Sequence, residues 1–182
     1  MAKLIVCLTG MPGAGKSTIA EGLKSKGFEK ITMGDAVRAE AARRKIEPSG
    51  ENLGELMLEL REKNGQGAVA ELIKNQIANS KSDVIVIDGV RSIAEVDVLK
   101  KFGTVKLLSI HASADTRFKF LSDRGRSDAP SGREDFSKRD SREMSVGMSE
   151  SIALADETLS NNNLTIPQLI DSAYDIIKGW IK

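Results

Sequence analysis

The 182-residue sequence predicts a three-layer α/β fold, a parallel sheet covered by helices on both faces. Three observations carry that expectation. Short apolar runs alternate with segments of helical periodicity, the pattern that builds parallel strands joined by crossover helices. Two of those runs, residues 3–9 and the DVIVI at 83–87, are apolar almost throughout, as strands buried on both faces require. A glycine-rich loop follows the first run and opens a helix, at the carboxyl edge where such sheets bind ligands.

Residues 3–9 are the first strand and 10–15 the loop. A helix runs over 16–26, with Ile19, Ala20 and Leu23 on one face and Gly27 as its stop. Residues 28–33 form a second strand, and 35–45 a helix that ends before Pro48. Leu53, Leu56, Met57 and Leu60 then recur at i, i+3, i+4 and i+7, one face of a helix. Gly65-Gln66-Gly67 breaks it, and Val69, Leu72, Ile73 and Ile77 mark another. Three successive helices between two strands predict a helical lobe over 35–80, inserted into the α/β core. The DVIVI strand ends in Asp88-Gly89. A helix over 92–101, a buried strand over 104–110 and a helix over 112–124 follow. Residues 125–142 are dense in charge without apolar periodicity and are expected to form a mobile polar flap. Asn161-Asn162-Asn163 reads as a turn. The last helix covers 164–181, with Ile166, Leu169, Ile170, Ala173, Ile177, Trp180 and Ile181 inward and Thr165 and Gln168 at capping-box spacing.

Composition narrows the chemistry. A single cysteine, Cys7, excludes an internal disulfide and a multi-thiolate zinc site. A single histidine, His111, excludes sites built from several imidazoles. It ends the 104–110 strand, where a hydrogen-bonded structural role is expected. Aromatic residues are 4%, too few for a base-stacking platform. Lys plus Arg number 27 and Asp plus Glu 26, so net charge gives no bulk case for binding nucleic acid. No apolar run approaches the roughly 18 residues of a spanning helix. These features point to a single-domain cytoplasmic enzyme or switch, with no membrane partner.

Gly10-Met11-Pro12-Gly13-Ala14-Gly15-Lys16-Ser17 fits G-x-x-x-x-G-K-[ST] in full, between a strand and a helix. Glycines allow successive backbone N–H groups to surround an anion, and the helix N-terminus adds its positive dipole. Gly10, Gly13, Ala14, Gly15, Lys16, Ser17 and Thr18 are thus the expected ATP-phosphate residues. Lys16 would reach the β/γ-phosphates, and Ser17 would ligate Mg²⁺. Asp88, at the end of a neighbouring strand, is the expected second magnesium residue. Its competing role is a turn or N-cap aspartate.

With these residues in view, the chain resembles adenylate kinase and, in more detail, a poorly characterised archaeal-type family of adenylate-kinase-related P-loop proteins. The loop carries the Pro12-Gly13 variant. Met33-Gly34-Asp35-Ala36-Val37-Arg38 is similar to a T-G-D-x-x-R segment whose Arg grips the acceptor phosphate. Asp88-Gly89-Val90-Arg91 is similar to D-G-F-P-R, and Arg124-Gly125-Arg126 with Asp128 and Arg139 to a short arginine-bearing lid over 122–142. The resemblance spans about residues 1–150. It implies a nucleoside-monophosphate-kinase type of P-loop fold with a five-stranded parallel sheet, a helical acceptor lobe, and Mg²⁺-dependent transfer from ATP, with AMP as acceptor. Lys16, Arg91, Arg124, Arg126 and Arg139 become catalytic candidates, with Arg124 also on the ATP phosphates. Gly34, Asp35, Arg38, Val69 and Arg91 become acceptor-binding candidates. Arg126 and Arg133 stand as alternatives for one lid role, and a monomer or small homo-oligomer is expected. The departures are Met33 in place of the threonine, a DGVR segment one residue short and lacking the proline, and Ala129 in place of a second lid aspartate.

Phosphoryl transfer gathers negative charge, so arginines from several directions suit it. An ionised phosphate acceptor needs no general base. A hydroxyl acceptor, such as that of dephospho-coenzyme A, would need one, and Asp35 is the carboxylate best placed. Its bland role is the N-cap of the helix it opens. A nucleotide-binding switch with little transfer is the reading of another class.

Overall fold

A computed structural model describes residues 3–123 and 129–181. The elements in order are β1 (Lys3–Thr9), α1 (Lys16–Ser25), β2 (Glu29–Thr32), α2 (Met33–Arg43), α3 (Gly50–Asn64), α4 (Ala68–Glu71), α5 (Lys74–Asn79), β3 (Val84–Asp88), α6 (Ile93–Leu99), β4 (Gly103–His111), α7 (Ala114–Asp123), α8 (Arg133–Ser145), α9 (Met148–Ala153), β5 (Glu157–Ser160) and α10 (Ile166–Trp180). The five strands are all parallel, in the order β2-β3-β1-β4-β5. This is the three-layer P-loop architecture expected.

The central strand β1 is flanked by β3 and β4, which puts its carboxyl end, and the loop after it, in the middle of the sheet edge. In register, Asp88 pairs with Leu8 on one side and Thr32 on the other. The strand alternation separates two cores. Ile5, Cys7, Ile85 and Ile87 face one way, against Met33, Val37, Leu56, Val69, Ile73 and Leu99. Val6, Leu8, Val86, Leu108 and Ile110 face the other, against Ile19, Leu23, Leu169, Ala173 and Ile177. Burial pushes the Cys7 thiol far up, with the Glu95 and Asp156 carboxylates adding to the effect, so it is an inert packing residue.

The apolar faces of helices α2 to α5 complete the first core. The helix expected through Val69 to Ile77 is broken into α4 and α5. The stretch 125–142 is not simply a flap, since residues 133–145 form α8. Residues 124–128, with Arg124, Arg126 and Asp128, lie outside the described residues. The fifth strand is the polar ETLS of β5, whose one apolar residue, Leu159, is too little to signal a strand. Thr165 and Gln168 do form a capping box on α10. Ile166, expected inward, is 63% exposed because it sits on the first turn, over the cleft. No helix among the described residues is long and apolar enough to cross a membrane.

Candidate functional site

The loop after β1 turns through Gly10, Gly13 and Gly15, all at positive φ. Gly15 is the N-cap of α1 with φ 108°, and no side chain caps that helix. Its first N–H groups therefore remain available to an anion. A Cβ at Gly15 would lie 2.6 Å from Asn161 Nδ2, so the loop is closed down on its support. Asn161 is 4% exposed and donates that amide to the Ala14 carbonyl at 2.9 Å. Arg117, also buried, donates to the Pro12 carbonyl at 3.1 Å. Gly10 and Ala14 are buried parts of this frame.

Lys16 Nζ bends back to the Gly10 carbonyl and lies 3.1 Å from the Met11 carbonyl. Burial pushes its ammonium down to about 8, against the opposing pull of the Asp88 and Glu143 carboxylates. A poorly hydrated ammonium held by two carbonyls is poised to exchange them for phosphate oxygens.

A cleft of about 1050 Å³ lies along the carboxyl edge of the sheet. Gly13, Gly15, Lys16, Ser17 and Thr18 line one part of it. Gly34, Asp35, Arg38, Asp88, Arg91 and Arg139 line it too, so most of the sequence-derived candidates converge. Asp88 ends β3, is 4% exposed and has no ion-pair partner among the described residues. Ser17 is exposed at the start of α1. A hydroxyl and an unpaired carboxylate are hard oxygen donors that fit Mg²⁺.

Helix α2 begins at Met33 with Thr32 as N-cap. Asp35 is therefore not the N-cap; it sits in the first turn, exposed, 2.7 Å from Arg38 Nη1. Arg91 leaves the segment after β3 and is tied down by its own neighbourhood. Its Nη1 donates to the Gly89 carbonyl at 3.0 Å, and its Nε to Glu143 Oε2 at 2.8 Å. Its backbone N–H donates to Glu95 Oε2 at 2.7 Å. Glu95 caps α6 jointly with Ser92 and takes a buried ion pair from Arg61 at 2.8 Å. Burial opposes the charge of Arg91, but the Glu143 carboxylate outweighs it and raises the guanidinium further. Burial would raise the carboxyl of Glu143, yet Arg91 holds it below the usual carboxylate range.

Val69 is not brought to the cleft. It is fully buried in the first core, and its carbonyl accepts from the Leu72 N–H. The 65–68 stretch is a tight helix-helix turn, closed by Ala68 N–H on the Gly65 carbonyl. Arg133 does not line the cleft and pairs with Asp115 at 2.7 Å. The His111 side chain is exposed at the end of β4. The sequence missed Asn161, Arg117 and Glu143. Asn161 follows the polar β5, and Glu143 lies next to a charge run, so neither stood out from its surroundings. For Arg117, its i, i+4 spacing to Leu121, on what proves the buried face of α7, was the signal available.

Comparison with known proteins agrees with this architecture. The chain matches the family model described as an AAA domain over residues 9–137. It is 43% identical over 159 residues to a UPF0200 protein of Hyperthermus butylicus, covering 87% of this chain and 86% of that one. Among solved structures, TT1252 from Thermus thermophilus superposes over 100% of both chains with a TM-score of 0.70 at 19% identity. Shikimate kinase from Acinetobacter baumannii, solved with shikimate, matches over 100% of this chain and 96% of its own, with a TM-score of 0.60 at 14% identity. At those identities the structures speak for the fold, which is that of P-loop kinases. The chain belongs to the UPF0200 family of P-loop proteins.

Proposed function

We propose that the protein transfers the γ-phosphate of Mg²⁺-ATP to a nucleoside monophosphate, with AMP as the acceptor. One observation carries this: a single cleft holds the phosphate loop with Lys16 and, facing it, Arg38 and Arg91 on a different set of elements. Two arginines on elements apart from the phosphate loop suit a second, phosphate-bearing substrate, which their planar donor forks can hold. The loop N–H groups and Lys16 would bind the donor phosphates. Ser17 and Asp88 would hold Mg²⁺, which supplies neutralisation of the β- and γ-oxygens when bound. Arg38 and Arg91 would orient the acceptor phosphate by their planar donor forks. That phosphate is already ionised, so no base is required.

A second reading keeps the donor side and changes the acceptor to a hydroxyl. Asp35 lines the cleft, exposed, and could take a hydroxyl proton. The solved shikimate kinase of the same fold supports keeping it in view.

The experiment is a transfer screen. The protein, ATP and Mg²⁺ are mixed with AMP, other nucleoside monophosphates or dephospho-coenzyme A, and phosphorylated product is followed against an acceptor-free control. Transfer to AMP well above that control is expected. Under the hydroxyl reading, Asp35→Asn abolishes transfer to dephospho-coenzyme A; under the leading reading it mainly weakens AMP binding. Lys16→Ala should lower kcat/KM by about 10² to 10³, the loss typical of one preorganised charge-stabilising group. An active Lys16→Ala enzyme contradicts the assignment of the loop.

A further inference from the structure

Helix α8 is held to the body by charge far more than by apolar burial, since Phe136 is its one buried residue. Asp140 takes both terminal nitrogens of Arg117, at 2.8 and 2.6 Å. Glu143, three residues on, takes Arg91 Nε at 2.8 Å. Residues at that spacing share a helix face. The two carboxylates therefore grip one arginine that braces the phosphate loop and one that lines the cleft. The pair is largely shielded, with the Arg91 and Glu143 side chains 20% and 15% exposed. Glu143 itself lines the cleft, within electrostatic reach of Lys16 and Arg139. Its carboxylate thus lies among the cations that a phosphoryl group in transit would use.

Resting on the proposed kinase reading, we propose that Glu143 is a resident anion on Arg91 that the phosphate of the acceptor must displace, with α8 as the element that moves. Two anions crowded on one guanidinium in a shielded cleft repel each other strongly. A phosphate that Arg38 also grips carries more charge and more donors than the carboxylate, and it wins the exchange. Weaker, singly charged anions do not. Glu143 is in this sense a specificity residue: it keeps Arg91 neutralised and ordered between turnovers and admits a dianionic phosphate. The sparse apolar anchoring of α8 means that its release costs little packing.

The test is calorimetric binding of inorganic phosphate to the wild type, Glu143→Gln, Arg91→Gln and the double variant. Glu143→Gln is expected to bind phosphate at least about fivefold more tightly than wild type, at the low end of ordinary coupling between sites. The gain should vanish in the Arg91→Gln background, as the double-mutant cycle requires. Unchanged or weaker binding in Glu143→Gln, or a gain that persists without Arg91, overturns the proposal. Should Glu143→Gln not fold, amide exchange across 133–145 in the wild type decides: phosphate should speed it, and slower or unchanged exchange overturns the proposal. The kinase reading stands or falls separately. A silent transfer screen beside tightened phosphate binding removes the acceptor and keeps the gate. Active transfer with unchanged phosphate binding does the reverse.

Discussion

In the proposed reading Lys16 holds the donor phosphates, and its environment gives it a pH signature. Burial pushes its ammonium down from 10.5 to about 8. Between those values the unfolded chain holds a proton on this side chain that the folded loop has released. Its contribution to stability therefore rises with pH across that window and is flat below it. Phosphate binding needs the ammonium, so ATP affinity should run the other way. Titrated against pH, ATP binding should weaken as pH rises through about 8, and Lys16→Met should bind weakly with no such limb. Asn161 is the second such residue. Asn161→Ala leaves the Ala14 carbonyl without its buried donor, at a cost of about 1–3 kcal/mol. Urea denaturation measures that, and a raised KM for ATP with AMP unaffected would place the damage in the loop. The lysine was legible because its motif has a fixed spacing. Asn161 was not, because a buried amide donor on a turn looks the same in sequence as a solvated one.

The elements show which signals survive folding. β1, β3 and β4 were legible as apolar runs, and α10 as a capping box followed by an apolar face. β5 was illegible since its Glu157, Thr158 and Ser160 are exposed on an edge strand, where no burial selects apolar residues. α8 was illegible for the same reason, as its attachments are ion pairs rather than a stripe. Close packing between helices is also hidden in sequence. A Cβ on Gly22 of α1 would meet Ile170 of α10 at 2.4 Å, so these helices touch through a missing side chain. Gly22→Val should cost about 1–3 kcal/mol or more by overpacking, read as a lowered thermal midpoint.

For the whole molecule, the strand order brings the ends of β1, β2 and β3 together, so one cleft collects residues from 12 to 169. Ser17 and Asp88 sit far apart in sequence, yet both were legible, because parallel strands present their carboxyl ends on one edge. Arg38 and Arg91 were legible and do line the cleft, while Val69 was drawn into the core by the packing of α4. On the proposed reading, the shape and charge of this cleft select the acceptor, rather than any local motif. The most direct test is to follow γ-phosphate from Mg²⁺-ATP by phosphorus NMR, with AMP present, and to measure the partition between AMP and water. A large excess on AMP is the predicted result. Phosphate appearing in water at a rate indifferent to AMP would contradict the account.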